Sequence, residues 1–552
     1  MSTQRTGGRI LVDNLLAQGC DRIFTVPGES FLAVLDALHD SPEIDLVVCR
    51  QEGGVAYMAE ADGKLTGRPG VAFVTRGPGA TNASVGVHVA FQDSTPMILF
   101  IGDVARGDRD REGFQEVDFA AMFRPLAKWT ARIDDAARIP EFVARAYATA
   151  MSGRPGPVVL ALPEDMLRDL AETVDRPRVA PPVQTADPMA VATLMSLLGD
   201  ACAPLAIVGG AGWDAAASQH FTGWAERVGI PVACAFRRQD AVLNASPVYA
   251  GNLGYGPNPK LLERVRNADL LLVIGPRLGE ATTDGYSVIT PDHPGQTLVH
   301  VHPDPNELNK VYKTCLPICA DMREFAELIE AWEDEVLSFD AGAEAHAEWL
   351  AWATPQPREV PLDLGPCVTA LRETLPAGTI VCNGAGNFSG WFHRFWHYGA
   401  YPCQLAPTNG SMGYGLPAGV AAAIRFPERQ VLVAAGDGDF LMNGQELATA
   451  VRYGASMLIL VIDNGSYGTI RMHQERDYPE RVNGTDLTNP DFAAFARAFG
   501  AWAETVERTE DFVPALARAI AEPGLKLLHL KTDVEQITNA TTITKLRERA
   551  QV

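Results

Sequence analysis

The sequence predicts an α/β protein made of three doubly wound parallel sheets, and three observations carry this prediction. Short apolar runs alternate with amphipathic helical patterns along nearly the whole chain. The runs are continuous rather than alternating, which is typical of strands buried on both faces of a parallel sheet. Two polar segments divide the 552 residues into three parts, a number of domains that suits this length.

The first predicted domain covers residues 1–170 and opens with an amphipathic helix at residues 10–16. Its predicted strands are residues 23–26, 44–49, 71–75, 97–101 and 158–162. The second of these strands leads into Glu52, which begins a helical pattern. A carboxylate at this place can simply complement the helix dipole. It can also act on a ligand, because ligands bind at the carboxyl ends of strands in such sheets.

The second predicted domain covers residues 188–332 and follows a linker, residues 171–189, that is rich in Pro, Thr, Val and Asp. Its predicted strands are residues 205–208, 270–274 and 297–301. The first strand ends in the turn GGAG, which could cradle a dinucleotide phosphate, although it lacks the GxGxxG pattern. The polar, acidic residues 333–356 predict a helix and a second linker.

The third predicted domain covers residues 359–552. Its predicted strands are residues 380–382, 431–435, 457–462 and 526–530, with helices at residues 445–453 and 543–550. The first strand runs into a glycine-rich end, residues 383–387, of a kind that can present backbone N–H groups to a diphosphate. The second ends in Gly436-Asp437-Gly438, and the third in Asp463-Asn464-Gly465.

Asp437 and Asn464 form the most informative pair in the sequence. Each follows a predicted strand, and one helix separates the two strands, so both side chains are expected at the same edge of a parallel sheet. A carboxylate and an amide oxygen beside flexible glycines suit a hard cation that keeps phosphate ligands. Taken alone, Gly-Asp-Gly would more simply be a turn. The pair favours a metal site.

Composition excludes several classes of partner. The formal net charge of −22 argues against nucleic acid and anionic membranes, because their phosphates would be repelled. No apolar run approaches the roughly 18 residues that a membrane helix needs, and the N-terminus lacks the apolar region of a signal peptide. The nine cysteines are scattered, which predicts free thiols in a reducing, cytoplasmic compartment.

The GDG motif with its later asparagine resembles the signature of thiamine diphosphate (ThDP) enzymes. This resemblance implies Mg²⁺ held by Asp437, Asn464 and the main-chain oxygen of Ser466. It also implies a set of residues around the diphosphate and thiazolium of the cofactor. These residues are Gly384, Asn387, Gly410, Met412, Gly436, Gly438, Asp439, Tyr467 and Gly468. The segment that contains Tyr467 and continues to Tyr478 is expected to cover the site.

The same resemblance assigns the other half of the site to the first domain. Glu52 would hydrogen-bond a ring nitrogen of the aminopyrimidine and so activate the cofactor, with Pro27 and Asn82 beside the ring. Phe114 and Gln115, in the segment GFQE, resemble residues next to the reacting carbons in the acetolactate synthase branch. The closing segment SGRPGPVVLALPED also resembles that branch more than the pyruvate decarboxylases.

Three positions depart from the synthase pattern. Glu29 replaces a glycine, Glu164 replaces a lysine, and His473 falls near the place of a large tryptophan. The two acids are expected to weaken binding of a second 2-oxo acid anion. His473 could donate a proton or lie on the surface.

The central domain is the part whose ligand the resemblance leaves open. It binds FAD in acetolactate synthases and ADP or nothing in other relatives. Arg277 resembles an arginine near flavin and substrate, and it could equally be a surface residue.

The resemblance implies decarboxylation of a 2-oxo acid with carboligation, two pyruvates giving 2-acetolactate and CO₂. A 2-oxo acid decarboxylase, or a carboligase with another donor or acceptor, is the alternative. A catalytically weak ThDP-binding regulatory protein is a third possibility, which Glu52 argues against. The two half-sites lie in different domains, and in the family they come from different subunits. We therefore expect a homodimer or homotetramer with the site at the subunit interface.

Overall fold

Three six-stranded parallel sheets make up the core of the protein, as the computed structural model shows for residues 4–332 and 337–550. Helices flank each sheet, and the central strands are buried apolar runs. The predicted fold class is confirmed. In the described ranges, no helix is long and apolar enough to cross a membrane.

The first sheet has the strand order β3-β2-β4-β5-β7-β6. The elements are β1 (Arg5–Thr6), α1 (Gly7–Ala17), β2 (Arg22–Thr25), α2 (Leu32–His39), β3 (Asp45–Val48), α3 (Glu52–Thr66), β4 (Gly70–Val74), α4 (Gly77–Asp93), β5 (Met97–Asp103), α5 (Phe119–Phe123), β6 (Trp129–Arg132), α6 (Ile139–Met151), β7 (Pro157–Pro163) and β8 (Leu170–Ala171). A separate antiparallel pair joins β1 to β8.

The second sheet has the order β11-β10-β9-β12-β13-β14. Its elements are α7 (Pro188–Asp200), β9 (Pro204–Val208), α8 (Ala215–Val228), β10 (Val232–Cys234), β11 (Tyr249–Asn252), α9 (Pro259–Asn267), β12 (Leu270–Ile274), β13 (Thr297–His302), β14 (Leu316–Cys319) and α10 (Met322–Glu330). Numbered from its own first strand, the order is 3-2-1-4-5-6, which is the Rossmann order of dinucleotide-binding sheets.

The third sheet has the order β16-β15-β17-β18-β20-β19. Its elements are α11 (Ala341–Trp352), α12 (Leu364–Thr374), β15 (Ile380–Asn383), α13 (Ser389–Phe395), β16 (Gln404–Leu405), α14 (Gly415–Arg425), β17 (Val431–Gly436), α15 (Asp437–Leu441), α16 (Leu447–Arg452), β18 (Met457–Asp463), α17 (Gly468–Asp477), α18 (Phe492–Ala498), β19 (Trp502–Val506), α19 (Thr509–Ala521), β20 (Leu525–Lys531) and α20 (Ile543–Ala550).

Several predicted elements need correction. The segment after β17, for which the sequence predicted no helix before residue 445, contains the short helix α15, which begins at Asp437. The helix expected at residues 445–453 begins with a 3-10 turn, Gly444–Glu446, before α16. The linker of residues 171–189 ends earlier than expected, since Pro188 already begins α7. Of the helix and linker expected at residues 333–356, residues 333–336 lie outside the described part, and α11 supplies the helix.

The chain folds into two compact units, and each unit combines three segments that are separate in the sequence. Unit 1 contains residues 1–182 together with residues 420–425 and 443–455. Unit 2 contains residues 183–419, 426–442 and 456–552. The first sheet therefore receives two short segments from late in the chain, and one of them reaches the neighbourhood of Glu52.

Candidate active site

The predicted metal ligands follow β17 and β18, next to the point between β15 and β17 where the strand order of the third sheet reverses. Such a switch point opens a crevice at the carboxyl ends of the strands. Gly436 on β17 pairs with Ile462 on β18, so Asp437 and the Asp463-Asn464 turn follow side by side. Asn464 Oδ1 accepts the Ser466 N–H at 3.0 Å, which makes a tight turn of two predicted metal ligands. The structure brings together the three predicted ligands within unit 2.

Asn489, which the sequence did not single out, joins two carboxylates at this place. Its Nδ2 donates to Asp437 Oδ2 at 2.8 Å and to Asp463 Oδ1 at 2.7 Å. The other oxygen of Asp463 lies 2.9 Å from His529 Nε2. Burial raises the pKa of Asp437, and the neighbouring Asp463 carboxylate adds to the rise. Burial is also the largest single influence on Asp463 and acts to raise its pKa, but the hydrogen bonds from His529, Asn489 and the Gly465 N–H together lower it.

These observations test whether the residues fit a metal. The buried Asp437 carboxylate and the partly buried Asp463 carboxylate both accept from the Asn489 amide, and a divalent cation would relieve their repulsion. The donors are all oxygen atoms, and too few come from the protein to fill six positions, so phosphate oxygens could complete the shell. The arrangement fits a hard cation held together with a diphosphate.

A group of glycines leaves room for close backbone approach beside this cluster. A Cβ at Gly384 would stand 2.1 Å from Asp439 Oδ1, and one at Gly438 would stand 2.6 Å from the Tyr467 ring. Asp439 Oδ1 accepts the N–H of Gly413 at 2.6 Å. Burial raises the pKa of Asp439 to about 7, although backbone N–H groups act against it. Only glycine fits at positions 384 and 438.

The loop expected beneath the thiazolium lies in the same unit. Gly410 has a φ of +72°, and a Cβ added there would meet open space. Its left-handed backbone explains the glycine, because other residues adopt this φ rarely. Met412 is half-buried two residues further on.

The segment predicted to cover the site forms helix α17, which begins at Gly468, directly after the turn that joins Asn464 and Ser466. Asn387 anchors its first turn, since Asn387 Oδ1 accepts from Thr469 Oγ1 at 3.0 Å while Nδ2 donates to the Ile537 carbonyl at 2.9 Å. At the other end, the fully buried Glu475 binds Arg547 of α20 through two hydrogen bonds of 2.7 Å. His473 is half-buried on this helix.

The glutamate half of the site belongs to unit 1. Glu52 is the first residue of α3, and it is half-buried. Asn82 of α4 donates from Nδ2 to Glu52 Oε2 at 2.9 Å, so two predicted site residues are in direct contact. Gln51 caps the helix by accepting the Gly54 N–H at 3.1 Å. Pro27 is exposed at the end of β2, next to the point where this sheet reverses its strand order.

Glu446 is a functional candidate that sequence reasoning missed. It is fully buried, and its Oε1 accepts the N–H groups of both Arg50 and Gln51 at 3.1 Å. A Cβ at Gly54 would stand 2.7 Å from the same oxygen. Burial raises the pKa of Glu446. Because Glu446 holds the two residues that precede Glu52, it fixes where α3 begins.

Tyr453 supports β3, the strand that precedes Glu52, at the edge where β3 has no neighbouring strand. Its hydroxyl accepts the Val48 N–H at 2.7 Å and donates to the Leu46 carbonyl at 3.1 Å. Edge strands leave such groups unpaired, so Tyr453 completes β3. Neither Glu446 nor Tyr453 carries a local sequence signal, since each acts on residues about four hundred positions earlier.

Arg76 connects the predicted substrate residues of unit 1. Its Nη2 lies 2.6 Å from Glu164 Oε2, and its Nη1 lies 3.9 Å from Glu29 Oε1. Nη1 also donates to the Phe114 carbonyl at 3.4 Å. The two acids that depart from the synthase pattern therefore flank one buried cation. The sequence did not indicate that one arginine would lie between these two acids.

Phe114 and Gln115 have unusual exposure and backbone geometry. The Phe114 side chain is 74% exposed in the isolated chain. Gln115 has a φ of +64°, which is uncommon for a residue with a side chain. Its carbonyl accepts the Gly77 N–H at 3.0 Å. Strained residues of this kind cluster at functional sites.

In the second sheet, the strand ends at the switch point are packed glycine turns. A Cβ at Gly210 would stand 2.1 Å from the Gly275 carbonyl oxygen. Arg277, the predicted flavin or substrate contact, is half-buried just after this turn. Arg237 extends from the same sheet to the third one, where its Nη2 donates to the Gly384 carbonyl at 3.2 Å and its Nη1 to that of Pro407. Arg237 thus supports two predicted cofactor loops, and it was also missed.

Three family descriptions match the chain in order. "Thiamine pyrophosphate enzyme, N-terminal TPP binding domain" covers residues 5–122, "Thiamine pyrophosphate enzyme, central domain" covers residues 191–329, and "Thiamine pyrophosphate enzyme, C-terminal TPP binding domain" covers residues 384–530. Thiamine pyrophosphate is another name for thiamine diphosphate.

Named relatives agree with these matches. The chain is 30% identical to the acetolactate synthase large subunit of Corynebacterium glutamicum over 535 residues, which is 93% of this chain and 84% of the relative. It is 31% identical to that of Parasynechococcus marenigrum over 94% of this chain and 86% of the relative. For the acetolactate synthase isozyme 2 large subunit of Escherichia coli the identity is 30%, over 96% of this chain and 95% of the relative. The chain belongs to the thiamine pyrophosphate enzyme family, in its acetolactate synthase branch.

Proposed function

We propose that the protein decarboxylates a 2-oxo acid and joins the remaining fragment to a second carbonyl compound, in a reaction that requires ThDP and Mg²⁺. Pyruvate as both donor and acceptor, with 2-acetolactate and CO₂ as products, is the first candidate. The contact between Asn82 and Glu52, at 2.9 Å, is the observation that carries this proposal. A protein that only binds the cofactor has no need of a positioned glutamate on the pyrimidine side.

Each half-site would have its own task. Asp437, Asn464 and the Ser466 carbonyl would hold Mg²⁺, and through it the diphosphate, with the glycines at 384, 436 and 438 allowing close approach. Glu52 would hold the proton shared with the pyrimidine ring at Oε1, because Oε2 already accepts from Asn82. When bound, thiamine diphosphate supplies the nucleophilic carbon and the electron sink that decarboxylation needs. Helix α17 and the segment at Phe114 would exclude water from the reacting groups.

The decisive experiment incubates the enzyme with pyruvate, Mg²⁺ and ThDP and measures acetolactate and acetaldehyde separately. We expect acetolactate and CO₂. Acetaldehyde without acetolactate would refute the synthase reaction in favour of a decarboxylase. Neither product would reject pyruvate as the donor, and a panel of longer and aromatic 2-oxo acids would then identify it.

One observation favours a second candidate, a carboligase whose acceptor is uncharged. Arg76 has Glu164 at 2.6 Å and Glu29 at 3.9 Å, so its charge is more than neutralised. An anionic acceptor gains little from such a group, whereas a neutral aldehyde is not repelled. Competition between pyruvate and an added aldehyde distinguishes the candidates. Preferential formation of a 2-hydroxy ketone from the aldehyde would establish the second.

We further propose a homodimer or homotetramer in which the two half-sites of one active site come from different chains. An equimolar mixture of refolded Glu52→Ala and Asp437→Asn chains tests this directly. If the site is shared between chains, mixed dimers contain one intact site and regain activity at a low Mg²⁺ concentration at which neither variant turns over substrate. Absence of regain would contradict the shared site.

The central domain is proposed to bind FAD or ADP. The Rossmann strand order and the glycine turns at its switch point support a nucleotide there. A visible spectrum of the purified protein distinguishes the two, because only flavin absorbs near about 450 nm. The cytoplasmic location predicted from the cysteines stays a prediction, and cell fractionation tests it.

A further inference from the structure

A cavity of about 390 Å³ opens in unit 1 on the side of the first sheet away from Glu52. It lies at the amino ends of the strands, between the turn after α1, the end of α3, helix α6 and the segment that follows β8. Strand β4 has five residues, so this edge is roughly 16 Å from the edge that carries the candidate active site. Its volume lies in the range of small-molecule sites.

Arginines dominate the charged lining of this cavity. Arg22, Arg68 and Arg178 line it, with Asp21 and Asp62 as the only acids among the lining residues. Both acids are already paired with Arg425, which contacts Asp21 at 2.9 Å and Asp62 at 2.7 Å. Although burial opposes it, the bond with Arg425 lowers the pKa of Asp21 to about 2.

The remaining positive charge is only partly balanced. Arg68 shares Asp21 with Arg425, at 3.1 Å, and Arg22 contacts Asp45 at 3.1 Å. The Arg22 side chain is 9% exposed, and its Nε and Nη1 find no hydrogen-bond acceptor in the part of the chain that the structure describes. Arg178 forms no ion pair with any described residue. The arginines in and beside this cavity therefore outnumber the aspartates that pair with them by four to three. The arginines are Arg22, Arg68, Arg178 and Arg425, and the aspartates are Asp21, Asp45 and Asp62.

Arg178 is held in place although its segment has no regular structure. The Gln18 side chain donates to the Pro177 carbonyl at 3.0 Å and accepts the Val179 N–H at 2.8 Å, so both neighbours of Arg178 are fixed. The guanidinium carbon lies 3.3 Å from the place where a Gly19 side chain would begin. Arg178 itself is exposed, so these bonds fix the backbone from which its guanidinium reaches the cavity, which lowers the cost of ordering the segment when an anion binds.

The rest of the lining is apolar or uncharged. Cys20, Pro69, Met151, Val179 and Pro181 contribute to the wall, and Tyr147 contributes a buried ring. Guanidinium groups from separate segments suit a dianion better than a single carboxylate, because each can bind phosphate oxygens in a forked geometry. The wall suits an apolar group attached to that phosphate.

We propose that this cavity is a second binding site, which takes a small phosphate monoester with an apolar body. The phosphate binds between Arg68 and Arg178, and the apolar body lies against Met151 and Pro181. The site is separate from the cofactor site, and its occupancy does not depend on the reaction that the enzyme catalyses.

Equilibrium dialysis with phenyl phosphate, on full-length protein saturated with Mg²⁺ and ThDP, tests the proposal. We expect saturable binding at one site per chain with a dissociation constant below about 1 mM. Arg178→Ala and Arg178→Glu should weaken it about tenfold or more. Arg176→Ala is the matched control, because Arg176 is exposed on the same segment but does not line the cavity, and it should bind normally.

Two further ligands complete the test. Inorganic phosphate and phenol should each bind more weakly than phenyl phosphate, since each lacks one half of the proposed recognition. Circular dichroism confirms that the Arg178 variants are folded. Absence of binding, equal binding by the Arg178 variants, or equal binding of inorganic phosphate would each overturn the proposal. None of these outcomes bears on pyruvate turnover, so the two proposals fail independently.

Discussion

The first and third sheets have the same strand order, but they carry their charged side chains at the ends of different strands. Numbered from its own first strand, each has the order 2-1-3-4-6-5. In the third sheet, charged groups gather at the carboxyl ends of the two central strands β17 and β18. In the first sheet, the corresponding strands β4 and β5 end in Arg76 and in Asp103, which is paired with Arg132 at 3.2 Å. In the first sheet, the candidate catalytic carboxylate, Glu52, follows the edge strand β3 instead.

The two halves of the candidate site are held in place in different ways. The proposed metal half is local, because Asp437, Asp463 and Asn489 lie within 52 positions of one another in the chain. The glutamate half is not local, because β3 is an edge strand and depends on Tyr453 and Glu446 from far along the chain. We expect changes in the metal half to alter metal affinity, and changes in the glutamate half to alter turnover.

The largest expected effect comes from Glu52→Ala. Turnover of the 2-oxo acid should fall by roughly 10²- to 10⁴-fold, the usual contribution of a positioned acid–base group. Mg²⁺-dependent binding of ThDP, followed by protein fluorescence, should remain largely intact. Glu43→Ala, an exposed acid of the same unit, serves as the control. Full activity of the Glu52 variant would end the assignment.

Asp437→Asn should produce the opposite pattern. It removes the charge that attracts the cation, so Mg²⁺ affinity should fall by at least the roughly 10- to 100-fold that loss of an outer partner causes. High Mg²⁺ should restore part of the turnover, as titration of activity against Mg²⁺ would show. Asp511→Asn, on the exposed face of α19, is the control. An unchanged Mg²⁺ requirement would contradict the role of Asp437 as a ligand.

Glu446→Gln tests the remote support of Glu52. The amide oxygen can still accept both N–H groups in place of Oε1, but the negative charge is lost and the amide NH2 cannot accept the Thr449 hydroxyl as Oε2 does. The start of α3 should therefore be slightly displaced, and kcat should fall about 10- to 100-fold. The apparent affinity for Mg²⁺ should not change. Glu428→Gln, at an exposed loop, is the matched control. If Mg²⁺ affinity falls as much as kcat, the two halves are not held independently.

Asn489→Ala should act on the metal half alone and more weakly. Without the amide between them, the Asp437 and Asp463 carboxylates should reorient, and Mg²⁺ affinity should fall about tenfold. At saturating Mg²⁺ the variant should regain nearly full kcat. The control is Asn483→Ala, an exposed asparagine nearby. A loss of kcat that Mg²⁺ cannot repair would give Asn489 a different role.

The smallest effect on catalysis is expected from Arg547→Ala, which should instead affect stability. Hydrogen bonds from Arg547 lower the pKa of Glu475 to about 2, burial acting against them. The free energy of unfolding should drop by about 1.5–3 kcal/mol at pH 7. Because the folded pKa is depressed, this difference is complete above an unfolded pKa of about 4.3 and disappears as the pH falls towards 2.

Urea unfolding of the Arg547 variant at pH 7, 5 and 3 measures this dependence. Arg549→Ala, exposed on the same helix, should show no difference from the natural chain. A stability loss in Arg547→Ala that persists unchanged at pH 3 would show that the loss arises from packing rather than from the ion pair.

The central strands could be predicted because their signals are local, and the proposed metal ligands were chosen from the residues that follow these strands. A buried strand such as β17 is a continuous apolar run, and Asp437 follows it at once. Five of the six edge strands in the described sheets, β6, β11, β14, β16 and β19, escaped prediction. Edge strands lose one neighbour, so they can be short or partly polar, as Trp129–Arg132 is. The short interior strand β10 escaped as well.

The supporting residues of the site could not be predicted, for a different reason. Glu446 lies in an ordinary helical pattern, and its importance depends on which backbone N–H groups fold against it. Asn489 lies in a loop, where an asparagine usually signals a turn. Arg76 was part of a glycine-rich strand end, but its two acid partners come from separate segments. Long-range pairing of this kind carries no periodicity in the sequence.

The late segments of unit 1 have a consequence for the synthesis of the protein. The ribosome makes residues 1–182 first, but Arg425, Glu446 and Tyr453 follow only after most of unit 2. Asp21 and Asp62 lack their shared arginine until Arg425 has been made, and β3 lacks the hydroxyl that pairs with its edge until Tyr453 has been made. The first part of the chain to be made is therefore among the last to be completed. A nascent chain halted before that point carries Glu52 without the groups that position it.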